Sequence, residues 1–488
     1  MANLTRREFL QIGATAVMGA TLLPVINGRS TYQNFVLIAV DDLGFGDLSC
    51  YGATDVKTPH IDALAARGQR FTNFYANSPV CSPTRASILT GRYPDFVGVP
   101  GVIRTDRENS WGRLSDEAVL LPQLLKEHGY HTACIGKWHL GLEAPDTPND
   151  RGFDLFHGWL GDMMDDYYTH RRHDINYMRR DRETIDPDGH ATDLFTDWAC
   201  DYLDERSGKL DEPFFLYLAY NAPHTPIQPP SDSLERVKKR EPDMPEDRAK
   251  LVALIEHMDE GLGRILSTLD KGSHNPTTVI FLSDNGGQLN QGASNGPLRG
   301  GKQDMYEGGI RVPMIWSGDY PRSTGRYVFS DPTRPGTNDT LAMTMDILPT
   351  ICSMTEAPIS YNADGIKLLS NAFTGPDHVY DRKLFGMERP VIAFTAPHHV
   401  YGRTLFWMRR EGGDYGGRAY YAARKGKFKL LQNSPFEPMM LYDLDQDPRE
   451  TAPLHRDHPM YEELFEAIRQ HINEASRIPW QREDVSSP

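Results

Sequence analysis

The sequence predicts an α/β fold: a large, mostly parallel central sheet flanked by helices, followed by a smaller subdomain with a short antiparallel sheet and a helix. Three observations predict it. From Asn34 onward, apolar runs rich in β-branched and aromatic residues alternate with segments of helical periodicity. Several of those runs end in ionisable residues, as parallel strands do when their carboxyl ends build a site. After Ile366–Phe373 the pattern shifts to short runs broken by turns.

The first strand is Phe35–Val40, apolar throughout as expected of a strand buried on both faces, and it ends in Asp41-Asp42. Thr58 and Pro59 then open a helix with Ile61, Leu64 and Ala65 on one face and Gly68 as its stop. His131–Ile135 reads as a strand leading to Gly136-Lys137-Trp138-His139. Leu194, Phe195, Trp198, Ala199 and Tyr202 keep helical spacing, and Phe214–Ala219 is a strand running into Asn221-Ala222-Pro223-His224. Val252, Ile255, Leu262, Ile265 and Leu269 mark another helix, and Thr278–Leu282 is a strand ending in Ser283-Asp284-Asn285-Gly286. Lys427–Leu431 and Met439–Tyr442 read as antiparallel strands, and Leu464, Phe465, Ile468 and Ile472 as a terminal helix. No internal repeat or low-complexity tract interrupts this order.

Composition narrows the function. A chain of 488 residues with 39% hydrophobic residues has ample core, so global disorder is excluded. Its formal charge of −15 argues against nucleic acid as the main partner, because phosphate binding needs a basic field. An anionic substrate would need a local basic pocket. Five scattered cysteines, Cys50, Cys81, Cys134, Cys200 and Cys352, make neither a disulfide framework nor a zinc cluster. Residues 1–30 hold Arg6-Arg7-Glu8-Phe9-Leu10 and a mild apolar run, Ile12–Leu23, too short to span a membrane. This start resembles a Tat export signal, which implies export of a folded protein to the periplasm or outside, the Tat machinery as a partner, and no stable membrane insertion.

If the strand ends converge, Asp41, Asp42, Asp284 and Asn285 form an all-oxygen quartet suited to a hard cation, Ca²⁺ or Mg²⁺. Cys81 opens the segment Cys81-Ser82-Pro83-Thr84-Arg85 and continues to Leu89-Thr90-Gly91-Arg92. A helix amino terminus with Arg85 one turn away would lower a thiol pKa, making a reactive nucleophile conceivable; an inert helix-opening cysteine is the alternative.

This segment resembles the CxPxR…LTGR signature of type I sulfatases, members of the alkaline phosphatase superfamily. Gly129–Leu140 resembles the second sulfatase signature, and Asp41-Asp42, Ala222-Pro223-His224, Ser283–Gly286 and Gly300-Gly301-Lys302 match in the family's order. The resemblance runs from about Asn34 to Leu441–Leu444. It implies an alkaline-phosphatase-like sandwich, with a catalytic domain at 31–375 and a carboxyl-terminal subdomain at 376–488.

It also implies that a maturation enzyme oxidises Cys81 to Cα-formylglycine, whose hydrate attacks sulfur with one hydroxyl and uses the other for release. One Ca²⁺ would be held by Asp41, Asp42, Asp284 and Asn285, with residue 81 as a further ligand. Arg85 would orient the formylglycine, and Lys137 and Lys302 would neutralise the sulfate. His139 would act as base and His224 as acid.

Substrate choice is less encoded. The stretch Asp162–Arg182 is rich in aromatic and charged residues, and His170, Arg171, Arg172 and His173 are its candidates for an anionic sugar, alongside Arg403 with His398 and His399. Resemblance to bacterial polysaccharide-degrading members suggests a sulfated carbohydrate, ulvan-type among them. Two other functions fit the same residues: a phosphodiester or phosphonate monoester hydrolase of the superfamily, and a non-catalytic binder of sulfated glycans.

Overall fold

The computed structural model describes residues 32–318, 336–368, 402–411 and 419–480. A ten-stranded sheet runs through the larger part of the molecule. Its middle is five parallel strands in the spatial order Thr277–Ser283, Asn34–Val40, Phe214–Ala219, His131–Lys137 and Leu155–Trp159. Met314–Gly318 and then Gln69–Phe71 and Gly336–Asn338 extend one edge, while Met178–Arg180 and Glu183–Thr184 extend the other.

The alternation of the strands divides the core between the two faces of this sheet. Phe35, Leu37 and Ala39 pack on the side covered by helices Cys81–Thr90, Leu121–Lys126 and Ile347–Thr355. Val36, Ile38 and Val40 pack on the side covered by Pro59–Ala66, Ala191–Arg206 and Glu246–Lys271. A strand buried on both faces explains why the sequence shows continuous apolar runs there.

Register brings the strand ends together. Val40 pairs with Ser283, and Ala39 pairs with Ala219, which pairs with Gly136. Asp41, Asp284 and Lys137 therefore leave one edge of the sheet side by side, and the turn carrying His224 leaves the same edge.

Two local expectations are corrected. Thr58 does not cap the helix Pro59–Ala66 with its side chain; its hydroxyl bonds Ser49 and Asp62. The Asp259 carboxylate takes the role instead, accepting from the backbone N–H of His60 at 3.1 Å and of Ile61 at 2.8 Å. The helix ends at Ala66 with Arg67 as its cap, and Gly68 serves packing rather than termination. A Cβ at Gly68 would fall 2.6 Å from the carbonyl oxygen of Trp316.

The smaller sheet has the order Thr404–Arg410, Ala419–Lys425, Phe428–Gln432 and Met440–Asp443, antiparallel throughout. The helix Pro459–Ala475 lays Leu464 and Ile468 on one face against Ala423, Leu430 and Leu441. On the other face Leu405, Trp407, Leu431 and Tyr442 pack with Tyr75, Met305, Tyr306 and Ile310. The small sheet thus backs the chain that carries Lys302. The expected 1–30 signal, the 375/376 boundary, His398 and His399 lie outside the described residues. Among the described residues, no helix is long and apolar enough to cross a membrane.

Candidate active site

Cys81 is the first residue of a ten-residue helix and is buried. Its Sγ donates to Asp41 Oδ1 at 3.0 Å and lies 4.0 Å from Asp42 Oδ1. Asp41, Asp42, Cys81 and His224 each present a ligand atom within 4.8 Å of the others. Asp284 joins them through its Oδ1, which accepts from the Asp42 backbone N–H at 3.3 Å.

Three cationic side chains neutralise the three carboxylates. Arg85 Nε donates to Asp284 Oδ2 at 2.9 Å, its second guanidinium nitrogen lies 3.5 Å from Asp41 Oδ2, and Nη1 donates to the Lys137 carbonyl at 3.3 Å. Lys137 Nζ donates to Asp41 Oδ2. Lys302 Nζ donates to Asp42 Oδ2 at 2.7 Å and to His224 Nε2 at 3.0 Å. The loop that brings Lys302 here packs closely against Gly286, where a Cβ would fall 1.8 Å from the Gly308 carbonyl oxygen.

The expectation that the helix terminus and Arg85 lower the Cys81 thiol pKa is overturned. Burial pushes the thiol well up, and the Asp41 carboxylate adds to the rise. Arg85 is spent on Asp284 and Asp41, which come from distant strands. Burial opposes ionisation of Asp41 as well, yet Lys137, with Arg85 and Lys302, holds it well below the usual range. Burial and Asp41 push Asp284 up to about 7 against the pull of Arg85.

The two histidines have defined protons. A carbonyl oxygen can only accept, so His139 Nε2, 2.8 Å from the Ile103 carbonyl, carries the hydrogen. Nδ1 then holds the lone pair, and it is buried with no hydrogen-bond partner. Burial, followed by Lys137 and Arg85, keeps this ring well below the ordinary histidine range and therefore neutral. His224 Nδ1 donates to the Thr225 carbonyl at 2.7 Å, leaving Nε2 to accept from Lys302. Burial and then Lys302 push its pKa down too. Asp42 and His139 have φ of +64° and +60°, left-handed values that cost an L-residue roughly 1–3 kcal/mol.

The donor set fits a hard divalent cation. Asn285 donates through Nδ2 to Asp42 Oδ1 at 2.8 Å, while its Oδ1 is buried without a partner. An orphaned amide oxygen beside three carboxylates is oxygen chemistry suited to Ca²⁺ or Mg²⁺.

The expected sugar-facing residues lie apart from this cluster in kind. Arg171 pairs with Asp186 at 2.8 Å, Arg172 with Asp165 at 2.6 Å, and His173 is exposed. His170 is buried and its Nε2 donates to the Gly189 carbonyl at 3.0 Å. Arg403 is paired with Asp346 at 2.5 Å. Two contributors went unread in the sequence, the Ile103 and Thr225 carbonyls, and a third, Tyr167, reads as part of a sugar-facing stretch whereas its hydroxyl donates toward the Asn221 and His224 carbonyls at 3.0 and 2.8 Å. The first two have no side-chain signature; Tyr167 stood among the aromatics of the Asp162–Arg182 stretch.

The sulfatase family matches residues 33–357. N-acetylgalactosamine-6-sulfatase of Canis lupus familiaris is 33% identical over 411 residues, covering 79% of this chain and 73% of its own. Arylsulfatase A of Homo sapiens is 32% identical over 370 residues, covering 69% and 66%. Among solved structures, Ps i-CgsB in complex with k-i-k-neocarrahexaose has a TM-score of 0.77 at 27% identity, covering 93% of this chain and 95% of that one.

Proposed function

We propose, for a chain that belongs to the sulfatase family and is a sulfuric ester hydrolase, that it removes sulfate from a sugar hydroxyl at the cluster around residue 81. The observation that carries this reading is Cys81 Sγ, buried 3.0 Å from Asp41 at the start of a helix and ringed by three carboxylates and three cations.

Asp41, Asp42, Asp284 and Asn285, together with residue 81, would hold one Ca²⁺, which supplies fixed positive charge for the sulfate oxygens. Oxidation of Cys81 to Cα-formylglycine by a maturation enzyme would supply a hydrated aldehyde with one hydroxyl for attack and one for release. Burial and the Asp41 carboxylate hold an unmodified Cys81 thiol protonated, which makes it a poor nucleophile.

The chain's own groups do the rest. Arg85 fixes the residue-81 end of the site through Asp284 and Asp41. Lys137 and Lys302 face the negative charge that builds on the sulfate and the leaving oxygen. Neutral His139, with its lone pair on Nδ1, takes the proton that frees the second hydroxyl. Lys302 and His224 hold a transferable proton between Nζ and Nε2, and His224 delivers it to the departing alcohol.

The substrate in this reading is a sulfated carbohydrate. N-acetylgalactosamine-6-sulfatase and a protein solved with neocarrahexaose support it. Arg171, Arg172 and His173 would meet the sugar's anionic groups, with His170 anchoring their stretch through the Gly189 carbonyl and Arg403, paired with Asp346, a further candidate from the second subdomain. Residues 1–30 would direct Tat export to the periplasm or beyond, ahead of a catalytic unit to 375 and a second subdomain from 376.

Peptide mass spectrometry across Cys81, joined to desulfation of defined oligosaccharides including ulvan-type ones, tests the reading. The expected result is formylglycine at residue 81 and sulfate release that Cys81→Ala abolishes. An unmodified thiol with full turnover, or faster cleavage of phosphate diesters or phosphonates than of any sulfate ester, would sink it.

A further inference from the structure

We propose that His190, Asp193 and His257 form a second divalent-metal site, for Zn²⁺ or a neighbouring transition metal, separate from the Asp41 cluster. Each offers a ligand atom within 4.8 Å of the other two. His190 precedes the helix Ala191–Arg206, Asp193 lies in its first turn, and His257 comes from the adjacent helix Glu246–Lys271.

The proton assignment favours a metal. His190 Nε2 donates to the Gln228 carbonyl at 3.0 Å, so Nδ1 bears the lone pair. Metal-binding histidines characteristically anchor their second nitrogen in this way. The other hydrogen-bonding neighbour of that Nδ1 is the Thr192 N–H at 3.3 Å, a long contact that a stronger ligand can displace. His257 Nε2 is buried and lies 3.1 Å from Asp193 Oδ1, close enough to hold that carboxyl below the usual range. Zinc bonds of about 2.0–2.2 Å in a tetrahedron set ligand atoms ~3.4 Å apart, so small side-chain rotations close the site.

Two imidazoles and one carboxylate make a donor set for zinc, unlike the all-oxygen set that suits Ca²⁺. The Asp193 side chain is 44% exposed against 13% for His257, which leaves the fourth position to water. The ion would tie the end of the 162–190 stretch to the long helix. His190 stacks on Tyr167 with ring centroids 5.0 Å apart, and the Tyr167 hydroxyl holds the His224 carbonyl. The second ion would therefore stiffen the frame behind His224.

The test is Co²⁺ and Zn²⁺ titration of the chelator-treated enzyme in excess Ca²⁺, with visible absorption and thermal midpoint as readouts. One equivalent of Co²⁺ should give the intense bands of tetrahedral coordination, and Zn²⁺ should raise the midpoint. His257→Gln and, at a more exposed position, Asp193→Asn should each weaken binding about 100-fold, since outer-shell losses alone cost about 10–100-fold. Both variants should keep their desulfation rate in Ca²⁺ alone. Equal titration of wild type and both variants, or no tetrahedral cobalt signal, would overturn the site. Neither result bears on formylglycine or Ca²⁺ at residue 81, so the two readings fail separately.

Discussion

Replacing Lys429 with Met should destabilise the protein by about 3–5 kcal/mol at neutral pH and slow turnover as well. Lys429 is buried in the small sheet, and its ammonium donates to Glu307 Oε1 at 2.9 Å and Glu450 Oε1 at 2.8 Å. Glu450 Oε2 in turn accepts from the Glu307 backbone N–H at 2.7 Å, and Arg299 donates to the Glu450 carbonyl. The second subdomain therefore clamps both ends of the stretch from Arg299 to Glu307, and Lys302 sits within it. Removing the ammonium strands two buried carboxylates. At ~2.1 cal/mol/K of unfolding entropy per residue, a chain this long loses about 1 °C per kcal/mol, so the midpoint should fall ~3–5 °C.

Acid supplies the sign. Burial opposes ionisation of Glu307, but Lys429, Arg424 and Arg311 hold its carboxyl down at about 2, so its stabilisation is present above pH 4.5 and lost as pH falls towards 2. Burial already holds the Glu450 carboxyl above the usual range, and without Lys429 it rises further while Glu307 loses its largest opposing charge and rises as well. The variant's deficit should then be largest near pH 7 and shrink as pH falls to about 4.5 and the carboxyls take up protons. Adding Glu307→Gln and Glu450→Gln should restore part of the lost stability at neutral pH. Calorimetry across pH, with kcat on an aryl sulfate measured below the transition, is the assay. A midpoint within 1 °C of wild type at pH 7 and an unchanged kcat would refute the clamp.

His139→Gln should lower turnover by about 10²–10⁴ while sparing the first release of alcohol, seen as a burst followed by a stall. Because burial keeps His139 neutral, the acid limb that it sets in the kcat profile should fall well below pH 6.5. Chelation should abolish activity and Ca²⁺ restore it. Since Asp284 is pushed up to about 7, Ca²⁺ binding should expel protons at pH 6–7 and few above pH ~8, as calorimetry in two buffers would show. Tyr167→Phe removes the hydroxyl held by the Asn221 and His224 carbonyls and should cost about 1 kcal/mol in stability and less than tenfold in kcat, read by melting and steady-state rates.

The sequence was most readable where both faces of a strand are covered. Phe35–Val40 and Phe214–Ala219 are unbroken apolar runs, and the acids and bases that end such runs stand out. The outer strands Gln69–Phe71 and Gly336–Asn338 are too short for any periodicity to register. Chain neighbours misled where space neighbours decide. Thr58 looked like a cap, yet Asp259 arrives from 198 residues away to bond Ile61. Arg85 looked like the partner of Cys81, yet the thiol meets Asp41, 40 residues upstream, and its pKa moves the other way. The proton positions on His139 and His224 depend on backbone carbonyls, which carry no residue code.

Charge arithmetic joins the site to the whole molecule. The chain carries −15, so its long-range field repels an anionic sugar sulfate. At the site, Asp41, Asp42 and Asp284 are matched by Arg85, Lys137 and Lys302, so with all six ionised the protein groups alone are neutral. Neutrality gives no net attraction for sulfate, and it leaves Asp284 poised to pick up a proton at about pH 7. A divalent ion among the oxygens would resolve both at once, holding Asp284 ionised and turning the pocket net positive at the one place where negative charge develops. The cationic side chains are consequently best understood as partners of the carboxylates first. They become available to a sulfate only to the extent that an ion takes over the carboxylates' charge.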